Sequence, residues 1–241
     1  MAVALVSNVG ATGTADTVTT GAIDTTGANF LVISVAVDSG ATPTISDSKS
    51  NTWTALTSSA LTVKTIIYYV ANPTVGTSHT FSNTASQNYC SIRAAAFSGV
   101  ATTTPADQQN GATGTGASTL ATGSITPSEN NELVIAALGF NSDGGTISIG
   151  SSLTITNSNA FGSGNNYGGS MAYIIQTTAE AVNPTWTRGT GTGAMAARIA
   201  SFKAAASGPA NMKTWGGLAK ASVKTVDGLA IASVKTWNGL A

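Results

Sequence analysis

Charge is what this chain has least of. Asp, Glu, Lys and Arg make up 8% of its 241 residues, against about a quarter in an ordinary globular protein. Ten basic residues balance ten acidic ones, so the formal net charge is zero. Such a chain lacks the field that gathers nucleic acid or an anionic membrane, and neither is expected as a partner. Disorder needs low hydrophobicity with high net charge. Here the hydrophobic content is 42%, so the chain should fold.

Cysteine is nearly absent too. Cys90 stands alone and excludes an internal disulfide; close to Tyr89 and Ile92 it reads as a small hydrophobe in a strand. A single histidine, His79, leaves no histidine-based metal cluster and no duplicated catalytic triad. Loop carboxylates Asp38, Asp47 and Asp143 could offer oxygens to calcium, but no dense acidic ladder surrounds them, and no metal or cofactor is expected. Gly111-Ala-Thr-Gly-Thr-Gly116 lacks the lysine of a phosphate loop and reads as a linker. No apolar run approaches the roughly twenty residues that span a membrane. The segment starting at Met1 has neither the basic start nor the long apolar stretch of a signal peptide. The expectation is a trimmed mature form or a protein released by lysis, and Met1 favours release. With no reactive constellation in view, the chain is expected not to be an enzyme.

What is present is repetition. Asn29-Phe-Leu-Val-Ile-Ser-Val-Ala-Val37 returns as Glu132-Leu-Val-Ile-Ala-Ala-Leu-Gly-Phe140. Upstream, Val18, Gly21, Ile23 and Leu31 answer Leu120, Gly123, Ile125 and Leu133 at one spacing. Downstream, Tyr68, Phe81, Arg93 and Phe97 answer Tyr173, Trp186, Arg198 and Phe202 at another. His79 is thereby matched to Pro184. Long helical patterns are missing; short β-branched and aromatic runs closed by Gly, Asn, Asp, Ser or Pro recur instead.

The first unit should have strands near Ala2–Ser7, Thr17–Ile23, Phe30–Val37, Thr42–Ser46, Thr52–Leu56, Val63–Val70, Ser78–Ser82 and Tyr89–Ser98. The second should have them near Thr119–Ile125, Leu133–Phe140, Thr146–Ile149, Leu153–Asn157, Ser170–Gln176, Thr185–Thr187 and Ala194–Lys203, with another within the stretch from Val100 to Gly116. The fold class is therefore all-β: two tandem antiparallel β-sandwich domains, of jelly-roll or immunoglobulin-like type, over residues 1–103 and 104–206. Phe30–Val37 and Leu133–Phe140, apolar on both faces, should be central strands. Arg93 and Arg198, at matching places in the last strand of each unit, are expected to run along the sheet with their heads in water.

After a linker at 207–211, residues 212–241 carry an eleven-residue repeat: Lys213-Thr-Trp-Gly-Gly-Leu-Ala219, Lys224-Thr-Val-Asp-Gly-Leu-Ala230 and Lys235-Thr-Trp-Asn-Gly-Leu-Ala241. Glycine in every copy opposes a helix. Gly-Gly, Asp-Gly and Asn-Gly instead suit two-residue hairpin turns with positive φ, giving a β-hairpin meander. Counting from Asp227-Gly228 sets Val226 against Leu229, Leu218 against Trp237 and Lys220 against Lys235. So small a meander cannot bury its apolar residues alone. Trp215, Leu218, Val226, Leu229, Trp237 and Leu240 are the expected assembly residues, and the unfinished last repeat leaves an edge that another subunit could complete.

Asn51-Thr-Trp-Thr-Ala-Leu56, Tyr69-Val-Ala-Asn-Pro-Thr74, Ala96-Phe-Ser-Gly99 and Ile199-Ala-Ser-Phe-Lys-Ala204 resemble β-rich proteins of bacteria and tailed phages, and the C-terminal repeat looks like those closing some phage structural proteins. The resemblance implies a virion or cell-surface setting and transfers no site. On it rests the expectation of a phage virion structural protein: a capsid decoration, head-fibre or tail component. Its partners would be other copies of itself and capsid or tail proteins. The alternative is a carbohydrate-binding adhesin meeting cell-surface glycans through Trp53, Phe161 and Tyr167, or a secreted surface filament subunit, both extracellular.

Overall fold

The computed structural model describes residues 2–86, 90–161, 167–206, 214–215, 218–219, 225–226 and 229–230. It is all-β, and the described residues contain no helix. Ala2–Ala204 forms one compact unit, and Ala205–Ala241 separates from it as another.

The first half of the large unit contains β1 (Ala4–Gly13), β2 (Thr17–Thr19), β3 (Phe30–Asp38), β4 (Thr44–Asp47), β5 (Thr54–Ala55), β6 (Ser59–Ala60), β7 (Val63–Ala71), β8 (Phe81–Thr84) and β9 (Cys90–Ser98). A large sheet runs β1-β9-β3-β7-β5, with β6 also on β7, and a small sheet runs β2-β8-β4. Successive strands from β1 to β4, and again from β7 to β9, alternate between the two sheets. This is the jelly-roll wind rather than the immunoglobulin one.

The second half contains β10 (Ala106–Gly114), β11 (Thr119–Ala121), β12 (Glu132–Phe140), β13 (Ile147–Ile149), β14 (Thr154–Asn159), β15 (Gly168–Gln176), β16 (Thr185–Arg188) and β17 (Met195–Phe202). Its sheets, β10-β17-β12-β15-β14 and β11-β16-β13, have the same order. The glycines expected in a linker, Gly111 and Gly114, belong to β10 and pair with Arg198 and Met195.

Three apolar layers hold these sheets. Leu31, Ile33, Val35 and Ile92 pack with Phe81 between the first pair of sheets. Val134, Ala136, Leu138 and Ile199 pack with Trp186 between the second pair. A third layer joins the two large sheets face to face: Phe30, Val32, Ile67 and Phe97 meet Leu133, Ile135, Met171 and Phe202. Phe30 and Phe202 lie with ring centroids 4.7 Å apart, and Phe97 meets Tyr173 edge-on at 5.3 Å. Covered on both faces, β3 and β12 are buried almost throughout, which is why they read as continuous apolar runs.

The ladders correct the alignment of the repeats. Arg93 pairs with Ser34, and Arg198 with Ala137, so the central strands correspond as Asn29–Val37 to Glu132–Phe140 taken end to end, and the Leu31–Leu133 match is one residue short. Leu31 faces the first sandwich core, whereas Leu133 faces the layer between the halves. Tyr68 likewise sits in the first core while Tyr173 packs in the shared layer, the layer Tyr69 also enters. In the small sheets Val18 opposes Asn83 but Leu120 opposes Trp186, a two-residue slip that separates Phe81 from Trp186 as counterparts. Ile23 bridges to His79 and Ile125 to Val182, so Val182 rather than Pro184 answers His79.

Each large buried side chain in the shared layer contributes about 1.5–3 kcal/mol. Phe202→Ala should therefore lower stability by about 3–5 kcal/mol. Because this layer belongs to both halves, the truncation should lower one common unfolding transition in calorimetry. Two separate transitions, with only one shifted, would contradict a shared core.

Candidate functional site

Three groups of polar or apolar residues remain once the cores are accounted for. The first surrounds His79, whose ring stacks on Phe81 with centroids 4.3 Å apart. Its Nδ1 lies 2.9 Å from Thr25 Oγ1, and its Nε2 lies 3.1 Å from Asp47 Oδ1. Asp47 also accepts hydrogen bonds from the Trp53 indole at 2.7 Å and the Lys49 amide at 2.8 Å. The Gly76 amide donates to Thr25 Oγ1 at 3.0 Å. Hydroxyl, imidazole and carboxylate stand in the order that activates a nucleophile. Here Thr25 and His79 are fully buried, as is the Asp47 side chain, so the hydroxyl has no approach for a substrate. The cluster ties together the segment after β2, the end of β4 and the entrance to β8. No loop spacing in the sequence advertised it, because His79 lies 54 residues from Thr25 and 32 from Asp47.

The second group is the pair of arginines, which do not reach water. Arg93 is fully buried and Arg198 is 6% exposed. Arg93 Nε donates across the shared layer to Asn159 Oδ1 of β14 at 3.2 Å, and its Nη2 bonds Ser91 in its own strand. Arg198 answers from the other side, donating to Ser59 of β6 at 3.4 Å and to Gln109 at 2.9 Å. Gly169 and Gly111 provide the clearance, since a Cβ at either would collide with the facing guanidinium. Neither arginine has a carboxylate within 4.0 Å among the described residues. Burial pushes Arg93 down to about 9 and lowers Arg198 as well. The expected exposed heads fail because the face to which the arginines point is covered by the other half. Arg188, at the end of β16, is also buried. It ties loops by donating to Ser142 and to the carbonyls of Ala117 and Gly193.

The residues proposed for ligand contact are dispersed. Trp53 is half-buried, packs edge-on to Phe81 and spends its indole N–H on Asp47. Tyr167 is 8% exposed and donates its hydroxyl to Asp38 at 2.9 Å. Phe161 is half-buried against the second sandwich core. The structure does not bring the three together. Asp38, Asp47 and Asp143 accept backbone amides in their own turns. Among the described residues no cluster of three histidine, cysteine or acidic side chains is placed to hold a metal.

The third group is the C-terminal repeat. It forms two hairpins, β18 (Thr214–Trp215) with β19 (Leu218–Ala219) and β20 (Thr225–Val226) with β21 (Leu229–Ala230). Trp215 opposes Leu218 and Val226 opposes Leu229, each pair separated by the two residues in which a turn was expected. Trp237, Leu240 and the Lys220–Lys235 pairing lie outside the described residues, as does the linker at 207–211. No protein-family model, curated protein or solved structure matches the chain.

The His79 cluster makes a direct prediction. His79→Ala leaves the Asp47 carboxylate and the Thr25 hydroxyl without their shared partner, and should cost about 3 kcal/mol in urea unfolding. An unchanged midpoint would show that the cluster adds nothing to the fold. A pH effect is expected at Glu132, fully buried at the start of β12, where burial and the neighbouring Asp107 carboxylate raise its pKa. In the unfolded chain this carboxyl ionises at its ordinary value; in the folded chain it holds its proton to higher pH. The penalty of charging it is absent below the unfolded pKa and grows as pH rises through the folded one. Glu132→Gln keeps an oxygen for the Glu129 amide, which bonds Glu132 Oε1 at 3.0 Å. The variant should melt above wild type at pH 8, with the gap closing towards pH 4. A gap that does not depend on pH would refute the assignment.

Proposed function

We propose that this chain is a non-enzymatic structural protein that assembles through its C-terminal repeats. In the setting implied by its resemblance it would be a component of a phage virion, such as a capsid decoration, head-fibre or tail protein. One observation carries the reading: the repeats belong to a unit of their own and form two hairpins of two residue pairs each. Two-stranded hairpins are marginal in water and gain stability from further strands or from a surface to pack on. A second copy, or a capsid or tail protein, could supply either by strand addition. The internal use of His79, Arg93 and Arg198 suits a body that acts as a scaffold. The adhesin reading draws less support, because Trp53 and Tyr167 are committed to internal hydrogen bonds.

Removing residues 207–241 tests the assembly reading. The truncated body should keep its β-sheet circular dichroism and its melting temperature within a few degrees, and should elute as a monomer under conditions where the full chain is oligomeric by light scattering. An oligomer that survives the deletion would overturn the proposal.

A further inference from the structure

The zero net charge conceals an uneven division. Residues 1–206 contain six basic side chains, Lys49, Lys64, Arg93, Arg188, Arg198 and Lys203, against nine acidic ones, a formal charge of −3. From residue 207 onward there are four lysines, Lys213, Lys220, Lys224 and Lys235, against Asp227 alone, a formal charge of +3. Burial deepens the contrast. All three arginines of the body are withdrawn from the surface, being at most 6% exposed, while Asp24, Glu129, Asp143 and Glu180 remain exposed.

The acidic groups concentrate at one end of the second half. The Asn131 amide donates to the Gln176 carbonyl at 2.8 Å and the Ala179 amide to Asn130 Oδ1 at 2.8 Å. These bonds clamp the loop before β12 against the loop after β15, bringing Glu129 and Glu180 to the same end. Asp107 joins them, accepting the Ser128 amide at 2.8 Å. Lys203, 3.9 Å from Asp107, is the cation paired there.

Beside this cluster lies a cavity of about 430 Å³ with Ile174 and Val182 as apolar wall and Ser151, Ser152, Gln176 and Glu180 as polar wall. Gln176 is 7% exposed. Its Nε2 donates to the Glu180 carbonyl at 2.7 Å, and its Oε1 has no partner. An apolar wall and a carboxylate at the rim together suit an ammonium carried on an aliphatic stem.

We propose that this acidic end is the docking surface for the lysine-bearing C-terminal repeats of a second copy of the chain, an inference that rests on the assembly reading above. The −3 body and the +3 repeats attract one another across copies, and the closed cores leave the contact to exposed carboxylates, so association depends on salt.

The test uses the full chain and three variants, followed by light scattering on a sizing column. Wild type should be oligomeric at about 50 mM salt and weaken by roughly tenfold or more near 0.5 M, where screening shortens to a few ångströms. Glu129→Lys with Glu180→Lys should lose assembly while keeping the wild-type melting temperature, since both side chains are exposed. Charge reversal of the four C-terminal lysines to Glu should do the same, and the two sets combined in one chain should restore association. The proposal is overturned if the Glu129/Glu180 variant assembles like wild type while removal of 207–241 abolishes assembly; the repeats then dock elsewhere and the assembly reading stands. If removing 207–241 leaves assembly intact, the assembly reading falls and takes this one with it.

Discussion

Everything in the body depends on the face-to-face contact of its two large sheets. A lone jelly roll would leave one face of β3-β7-β9 wet and would need polar residues at every second position there. Instead Phe30, Val32 and Phe97 occupy those positions and meet Leu133, Ile135 and Phe202. Each half thus solves the other's exposure problem. The two halves share one buried layer, and Ala2–Ala204 forms one compact body.

The same contact explains the arginines. In each half an arginine stands on the face that the partner sheet covers, and reaches across to a polar side chain of the opposite half. Burying a guanidinium without a carboxylate is expensive, and neutral hydrogen bonds offset only part of the cost. The compensation is geometric: Arg93 fits against Gly169 of the opposite sheet, and Arg198 reaches Ser59 of the opposite half, only when the two sheets are in one register. A smooth apolar interface between two twisted sheets could slide by two residues with little change in burial. A pair of reciprocal, strand-fixed cations cannot.

Much of this was legible in sequence. The strand positions, the central place of Phe30–Val37 and Leu133–Phe140, and the Val226–Leu229 pairing follow from residue type, run length and turn chemistry. The nine-residue copy Glu132–Phe140 carried the offset that the ladders show, while the Leu31–Leu133 match missed it by one residue, because a strand buried on both faces has no alternation to betray which residue points where. The slip around Trp186 was hidden for a related reason: a shift of two preserves the buried face, so an aromatic match survives a change of partner. The burial of Arg93 and Arg198 could not be read, since nothing local says that a second sheet will cover their side. The His79 cluster joins residues far apart in the chain, and a sequence read element by element separates them.

The division of polar groups between body and repeats then acquires a physical meaning. A body that uses its arginines and its histidine for internal ties has few groups left with which to attract anything, and what remains on its surface is mostly acidic. Four of the chain's seven lysines lie in the C-terminal segment, where two-stranded hairpins are marginal on their own. Among the described residues the large apolar side chains left exposed are Val6 and Leu61, too few to form a patch for indiscriminate association. The neutrality of the whole chain is the sum of an acidic body and a basic C-terminal segment.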